Sequence, residues 1–146
     1  MAKDFSGRRV LTGTQGTIYW DGEPVIEVTE FMAEVELERS DVYVGMDKDS
    51  KMNGISGTLS FSIDQVYTRA AAILKELKAG RDPRVMISGV IKDPDAVEGQ
   101  QERVNIANCW FNKFPLSGFT KGEHNKQQYE LGFRVTMDSE FADAIL

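Results

Sequence analysis

Few residues in this chain could do chemistry, and their spacing argues against it. His124 is the single histidine, set in the hydrophilic stretch Lys121-Gly122-Glu123-His124-Asn125-Lys126. Cys109 is the single cysteine and lies far from it in sequence. A Cys–His nucleophile pair also needs an orienting group and an oxyanion site, and no motif supplies them. His124 therefore reads as a solvated loop residue, and Cys109, beside Trp110 in an alternating run, as a small buried thiol. No Cys-x-x-Cys or His-x-x-x-His spacing offers a metal site. Asp47-x-Asp49-x-Lys51-x-Asn53 has the rhythm of a calcium loop, but Lys51 stands where an oxygen is needed and the closing bidentate glutamate is missing. Gly13-Thr14-Gln15-Gly16 lacks the lysine and following helix of a phosphate cradle. The expectation is a protein with no catalytic residue, no metal and no cofactor.

The residues that call for an explanation are acidic. Glu34, Glu36 and Glu38 recur at every second position. Like charges along one strand face repel, so that face must stay hydrated. It is either an ordinary water-facing sheet surface or an acidic wall that keeps polyanions from sticking.

The elements that would position this comb follow from periodicity. Thr17–Trp20 and Val25–Val28, separated by Asp21-Gly22, read as a hairpin. From Thr29, Phe31, Ala33, Val35 and Leu37 alternate with Glu30, Met32, Glu34, Glu36 and Glu38, the period-two signature of a half-buried strand. Val42–Met46 extends it, and Asp47–Gly54 reads as a projecting loop. In the next strand Ile55, Gly57, Leu59, Phe61 and Ile63 oppose Ser56, Thr58, Ser60 and Ser62. One amphipathic helix is expected over 65–79, capped by Asp64, ended by Gly80 and stopped by Pro83. Its stripe of Val66, Ala70, Ile73, Leu74 and Leu77 would pack on a sheet. Strands are expected at 84–92, 103–112 and 129–138, with polar loops at 93–102 and 117–128 and a helical turn in the tail 141–146. Residues 1–16 form an arm that is either a frayed terminus or a segment ordered by a neighbouring subunit.

With 146 residues the chain fits one domain with a core of its own. The order strands, one helix, strands predicts a mainly β fold, an antiparallel sandwich or barrel with one flanking helix. Seventeen basic against 23 acidic residues give a net charge of −6, which argues against ordinary DNA binding. No basic-then-apolar leader opens the chain and no run approaches membrane-spanning length, so the expectation is a soluble protein with no membrane anchoring, folded in a reducing compartment.

Three stretches carry a family resemblance: Ser6-Gly7-Arg8-Arg9-Val10-Leu11-Thr12-Gly13-Thr14-Gln15-Gly16, Lys51-Met52-Asn53-Gly54-Ile55-Ser56-Gly57-Thr58-Leu59, and Tyr129-Glu130-Leu131-Gly132-Phe133. The chain resembles, over nearly its full length, the phage tail tube proteins of the PBSX-like, XkdM-type family. The resemblance implies a structural subunit of a contractile phage or phage-like particle. Hexameric rings would close their inner sheets into one barrel around a lumen, and would stack into a tube. Its partners would be further copies of the chain, the tail sheath, the baseplate and tape-measure-like proteins, with non-specific passage of DNA in particles that carry it. The place implied is the tail of the particle, after folding and assembly in the bacterial cytoplasm. On that plan Glu34, Glu36, Glu38, Ser56, Thr58, Ser60 and Ser62 are expected to face the lumen. Arg8, Arg9, Asp47, Lys48, Asp49, Lys51 and Asn53 are expected to make contacts between rings. A type VI secretion-type tube protein is the alternative within this class. A small-molecule-binding β-barrel would instead need an enclosed apolar pocket, and an enzyme a scattered site.

Overall fold

A computed structural model describes residues 6–146. Its eight strands form one antiparallel sheet that folds over on itself into two layers. The strands are β1 (Gly16–Trp20), β2 (Glu23–Val25), β3 (Val28–Val44), β4 (Asp47–Asp64), β5 (Arg84–Ile91), β6 (Glu102–Lys113), β7 (Lys126–Phe133) and β8 (Ser139–Asp143). Their order is β2-β1-β5-β6-β7-β4-β3, with β8 also paired to β6. β6 belongs to both layers. β5 pairs with it from Glu102 to Trp110, while on its other side β8 pairs with Arg103 to Ile106 and β7 with Trp110 to Lys113. Asn108, at φ 51, stands at the change of partner, where the ladder to β5 is irregular. A left-handed residue inside a strand lets it bend from one layer into the other.

The Asp21-Gly22 turn forms as the sequence predicts, but its second strand is Glu23–Val25 rather than Val25–Val28, because Trp20 pairs directly with Glu23 and Val28 already belongs to β3. Both turn residues take positive φ, 51 and 86, which matches the right-handed twist of the strands they join. The apolar alternation of 55–63 also reaches the core, since Gly57, Leu59, Phe61 and Ile63 are buried. Tyr129 stacks on Phe61 at 5.1 Å between ring centroids, and Trp20 meets both rings edge-on. Aromatic pairs in these geometries add to the burial of their area.

Three expectations need correction. Residues 47–54 are not a loop but the first half of β4. Gly45, at φ 66, and Met46 make a two-residue turn, so Val44 pairs with Asp47 and the ladder runs back regularly to Met52, with one bulge before Gly54. A charged, fully exposed strand is stable here because its backbone is paired and neither face needs a core. The helix α1 spans Ala70–Lys78 rather than 65–79. Asp64 ends β4 and caps nothing, because Gln65 is held by Asn125 through its amide N–H at 2.7 Å and its side chain, and Arg69 is bound to Glu27. These ties keep 65–69 out of the helix. Ala70 and Ile73 are buried and Leu74 is half-buried, whereas Leu77 is largely exposed and Val66 lies before the helix, exposed. Gly80, at φ 78, follows the last turn, a left-handed end that glycine suits.

The third correction lies near the C-terminus. The strand expected to run to 138 stops at Phe133. Val135–Asp138 make the short helical turn α2, closed by the Asp138 N–H to Arg134 O at 3.0 Å and an Arg134–Asp138 ion pair at 2.7 Å. The turn redirects the chain into β8, where a helical turn was expected in part.

Candidate functional site

The register of β3 on β4 settles which side chains share a face. Glu30 opposes Ser62, Met32 opposes Ser60, Glu34 opposes Thr58 and Glu36 opposes Ser56. Directly opposed residues point to the same side of a sheet. The comb and the hydroxyl series therefore form one surface. β7 continues it, with Gln128 beside Ser62 and Glu130 beside Ser60. β6 adds Lys113 opposite Glu130. Glu34, Glu36, Glu38, Ser56 and Thr58 are exposed, while Ser60 and Ser62 are half-buried. Glu38 folds over Gly54, its carboxylate oxygen 2.7 Å from where a Cβ would stand.

A bulge then rearranges the tip. Glu38 pairs with Gly54 but Arg39 pairs with Met52, so Asn53 is the extra residue on β4. One inserted residue swaps the faces of everything beyond it. Asp47, Asp49 and Lys51 consequently join the acidic side, while Lys48 turns to the other side and pairs with Asp41 at 3.4 Å. Spread along an extended strand, Asp47, Asp49 and Lys51 cannot wrap a cation as a calcium loop does. The sequence read 47–54 as one patch; the bulge that divides it has no local signature. Glu130 and Gln128 were legible from the alternation around Tyr129, as the residues between the apolar ones.

The other face of β3 passes from core to solvent. Phe31 covers Gly89 across the layers, yet Val35, Leu37 and Ile55 are 51%, 44% and 42% exposed. Between β3 and the opposite layer lies an open groove of about 610 Å³, bounded by Ile18, Phe31, Val35, Val104, Phe133 and Phe141 among others. It is an open seam rather than the enclosed pocket a ligand-binding barrel would need. The outer edge of β3 has no strand paired to it among the described residues.

Arg8 and Arg9 sit elsewhere, in a short turn docked on the loop after β5. Arg9 Nη1 donates to Asp95 O and Ala96 O, each at 3.2 Å, and Arg8 lies 3.7 Å from Asp95. Thr12 N donates to Asp93 Oδ2 at 3.2 Å. This part of the arm is thus tied to its own domain; the expectation for residues 1–5 lies outside the described residues. Cys109 is fully buried, and burial pushes its thiol up to about 11. His124 is exposed in its loop. No group of three or more metal-ligating side chains exists among the described residues, nor any helix long and apolar enough to cross a membrane.

Residues 3–143 match the family model described as phage tail tube protein. The chain belongs to the phage tail tube protein family. Its role is that of a structural tail tube subunit in a phage or phage-like particle. The chain is also similar to two curated proteins from Bacillus subtilis (strain 168). The chain is 25% identical to the uncharacterized protein YqbM over 114 residues, covering 76% of this chain and 77% of that one. It is 24% identical to the phage-like element PBSX protein XkdM over 113 residues, covering 75% and 76%. Among solved structures, the tail tube fold resembles the tube-terminating cap of the anti-feeding prophage, with TM-score 0.71, 11% identity and 97% of each chain covered. It also resembles Hcp1 from Flavobacterium johnsoniae, with TM-score 0.57 and 10% identity, covering 89% of this chain and 96% of that one.

Proposed function

We propose that six copies of this tail tube protein close into a ring, and that stacked rings form the tube of a contractile particle with Glu34, Glu36 and Glu38 on its inner wall. The observation that carries this reading is the shared surface of the comb and the hydroxyls Ser56, Thr58, Ser60 and Ser62, set on a sheet whose outer edge is unpaired among the described residues. Joining that edge to the next subunit satisfies its backbone groups and leaves no strand exposed. An acidic, hydrated bore repels DNA phosphates, so a passing duplex slides without adhering. Partners on this reading are further copies of the chain, a sheath outside the tube, a baseplate at its end and tape-measure-like protein or DNA within. The same reading places the finished protein in the particle's tail after assembly in the bacterial cytoplasm.

Contacts between rings fall to Asp47, Lys48, Asp49, Lys51 and Asn53 of the projecting hairpin, with Arg8 and Arg9 contributing from the docked arm. Helical reconstruction of tubes of the purified protein by electron microscopy tests the arrangement. The expected map has sixfold symmetry with the comb lining the channel; glutamates on the sheath side would overturn it. The similarity to Hcp1 favours a type VI secretion-type tube as the second reading, and neighbouring genes encoding a phage-like rather than a secretion-type sheath would decide between them.

A further inference from the structure

The long sheet ends in two unlike poles. At one pole is the β3–β4 turn, where Met46 is fully exposed and Tyr43 and Val44 stand beside it. At the other is the β6–β7 loop, residues 114–125. Lys126 pairs with Asp64 at the far end of β4 from Asp47, so the poles lie about 55 Å apart at ~3.3 Å per residue. That loop carries Leu116 and Phe119, 68% and 78% exposed. Such side chains clustered at an end, rather than scattered singly, mark a contact surface.

Charge separates the poles. The turn region 41–49 holds Asp41, Asp47 and Asp49 against Lys48 alone, and Lys48 is occupied by Asp41. The opposite region 113–126 holds Lys113, Lys121 and Lys126 against Glu123. Among the described residues none of Asp47, Asp49, Lys121 and Lys126 forms an ion pair. Moreover Asp47, Asp49 and Lys126 lie on one face of the sheet, at its two ends.

We infer that the β6–β7 loop is the socket for the hairpin tip of the same protein in the next ring. Met46 and its neighbours pack on Leu116 and Phe119, and Asp47 and Asp49 meet Lys121 and Lys126. The inference rests on the tube reading and names the surface that receives the hairpin. A contact between two different patches propagates in one direction only, which gives the tube its polarity. Each exposed ion pair is worth little alone, but repetition around a ring makes the contacts act together.

Two surface variants test it, Asp47→Lys/Asp49→Lys and Lys121→Glu/Lys126→Glu. All changed positions are exposed, and an unchanged thermal midpoint shows that each variant folds. Alone, each brings like charges together and is expected to lose pelletable tubes while keeping the ring. Mixed in equal amounts, the two restore opposite charges at every junction, and tubes of alternating rings return. Tubes from either variant alone at the unmodified level would assign the loop to another partner, such as the sheath or baseplate, and overturn the inference. So would a mixture that stays as rings while the unmodified protein forms tubes. Failure of the unmodified protein to form rings or tubes would instead bring down the tube reading, and this inference with it.

Discussion

Aromatic rings in this protein rest on glycines. Phe133 lies over its cross-strand partner Gly57, with ring carbons 2.6 Å from where a Cβ would stand, and Trp110 covers its partner Gly132 at 2.5 Å. A ring laid over a glycine restores packing that the missing side chain gives up. Phe133 is buried and has little room to move aside. Gly57→Ala should therefore cost about 1–3 kcal/mol by overpacking, read as a lower urea midpoint with unchanged slope. Gly118→Ala, where nothing lies within 4 Å, is the matched control and should leave the midpoint in place. Cys109 gives a second residue-scale outcome. Burial raises its native pKa to about 11 from an ordinary 9.0. The unfolded chain then loses the thiol proton first, so this contribution is complete below pH 9 and disappears as pH rises to about 11. Stability should fall across that window, and Cys109→Ala should flatten the fall. Maleimide should label the thiol only under unfolding conditions.

At the scale of elements, the hairpin stands apart from the body. From Glu34 to Met52 every residue is exposed, so the hairpin's end contributes little to the core. Replacing 39–52 with a two-residue turn should leave the thermal midpoint nearly unchanged and abolish tubes in electron micrographs. Lost folding would instead show that the ladder supports the body. Much of this architecture was legible in the sequence, because strand alternation and the Asp-Gly turn are local signals. Phe61 and Leu59 announce a buried face, and Asp21-Gly22 announces its own turn. What escaped depends on distant partners. Residues 47–54 look like a loop by composition and become a strand by pairing with 38–44. The helix start moved because Glu27 and Asn125 hold Arg69 and Gln65. The run after Phe133 alternates well, yet an Arg134–Asp138 pair turns it. The acidic face was legible residue by residue, but the Asn53 bulge that enlarges it toward the tip was not.

At the scale of the whole molecule, two apolar surfaces remain open in one subunit. They are the seam between the layers and the outward face of Val35, Leu37 and Ile55. Neighbouring copies in a ring would cover surfaces of this kind. β3 adds a 17-residue edge that is unpaired on one side among the described residues. A free edge of that length is a template for any compatible strand.

The spacing of the comb decides which strands are compatible. Were two β3 edges to meet about a twofold axis, the glutamates of one copy would lie opposite those of the other, an arrangement that like charges oppose. Mutual dimers, a dead end for growth, are thereby discouraged, while an edge with other chemistry remains acceptable. Changing Glu34, Glu36 and Glu38 together to glutamine should release this restraint, with dimers emerging by size-exclusion chromatography at the expense of rings. If the variant partitions as the unmodified protein does, the restraint lies elsewhere. On the tube reading, a row of charge on an open strand would act as a timing device, holding subunits apart as singles until a growing end offers them the correct neighbour.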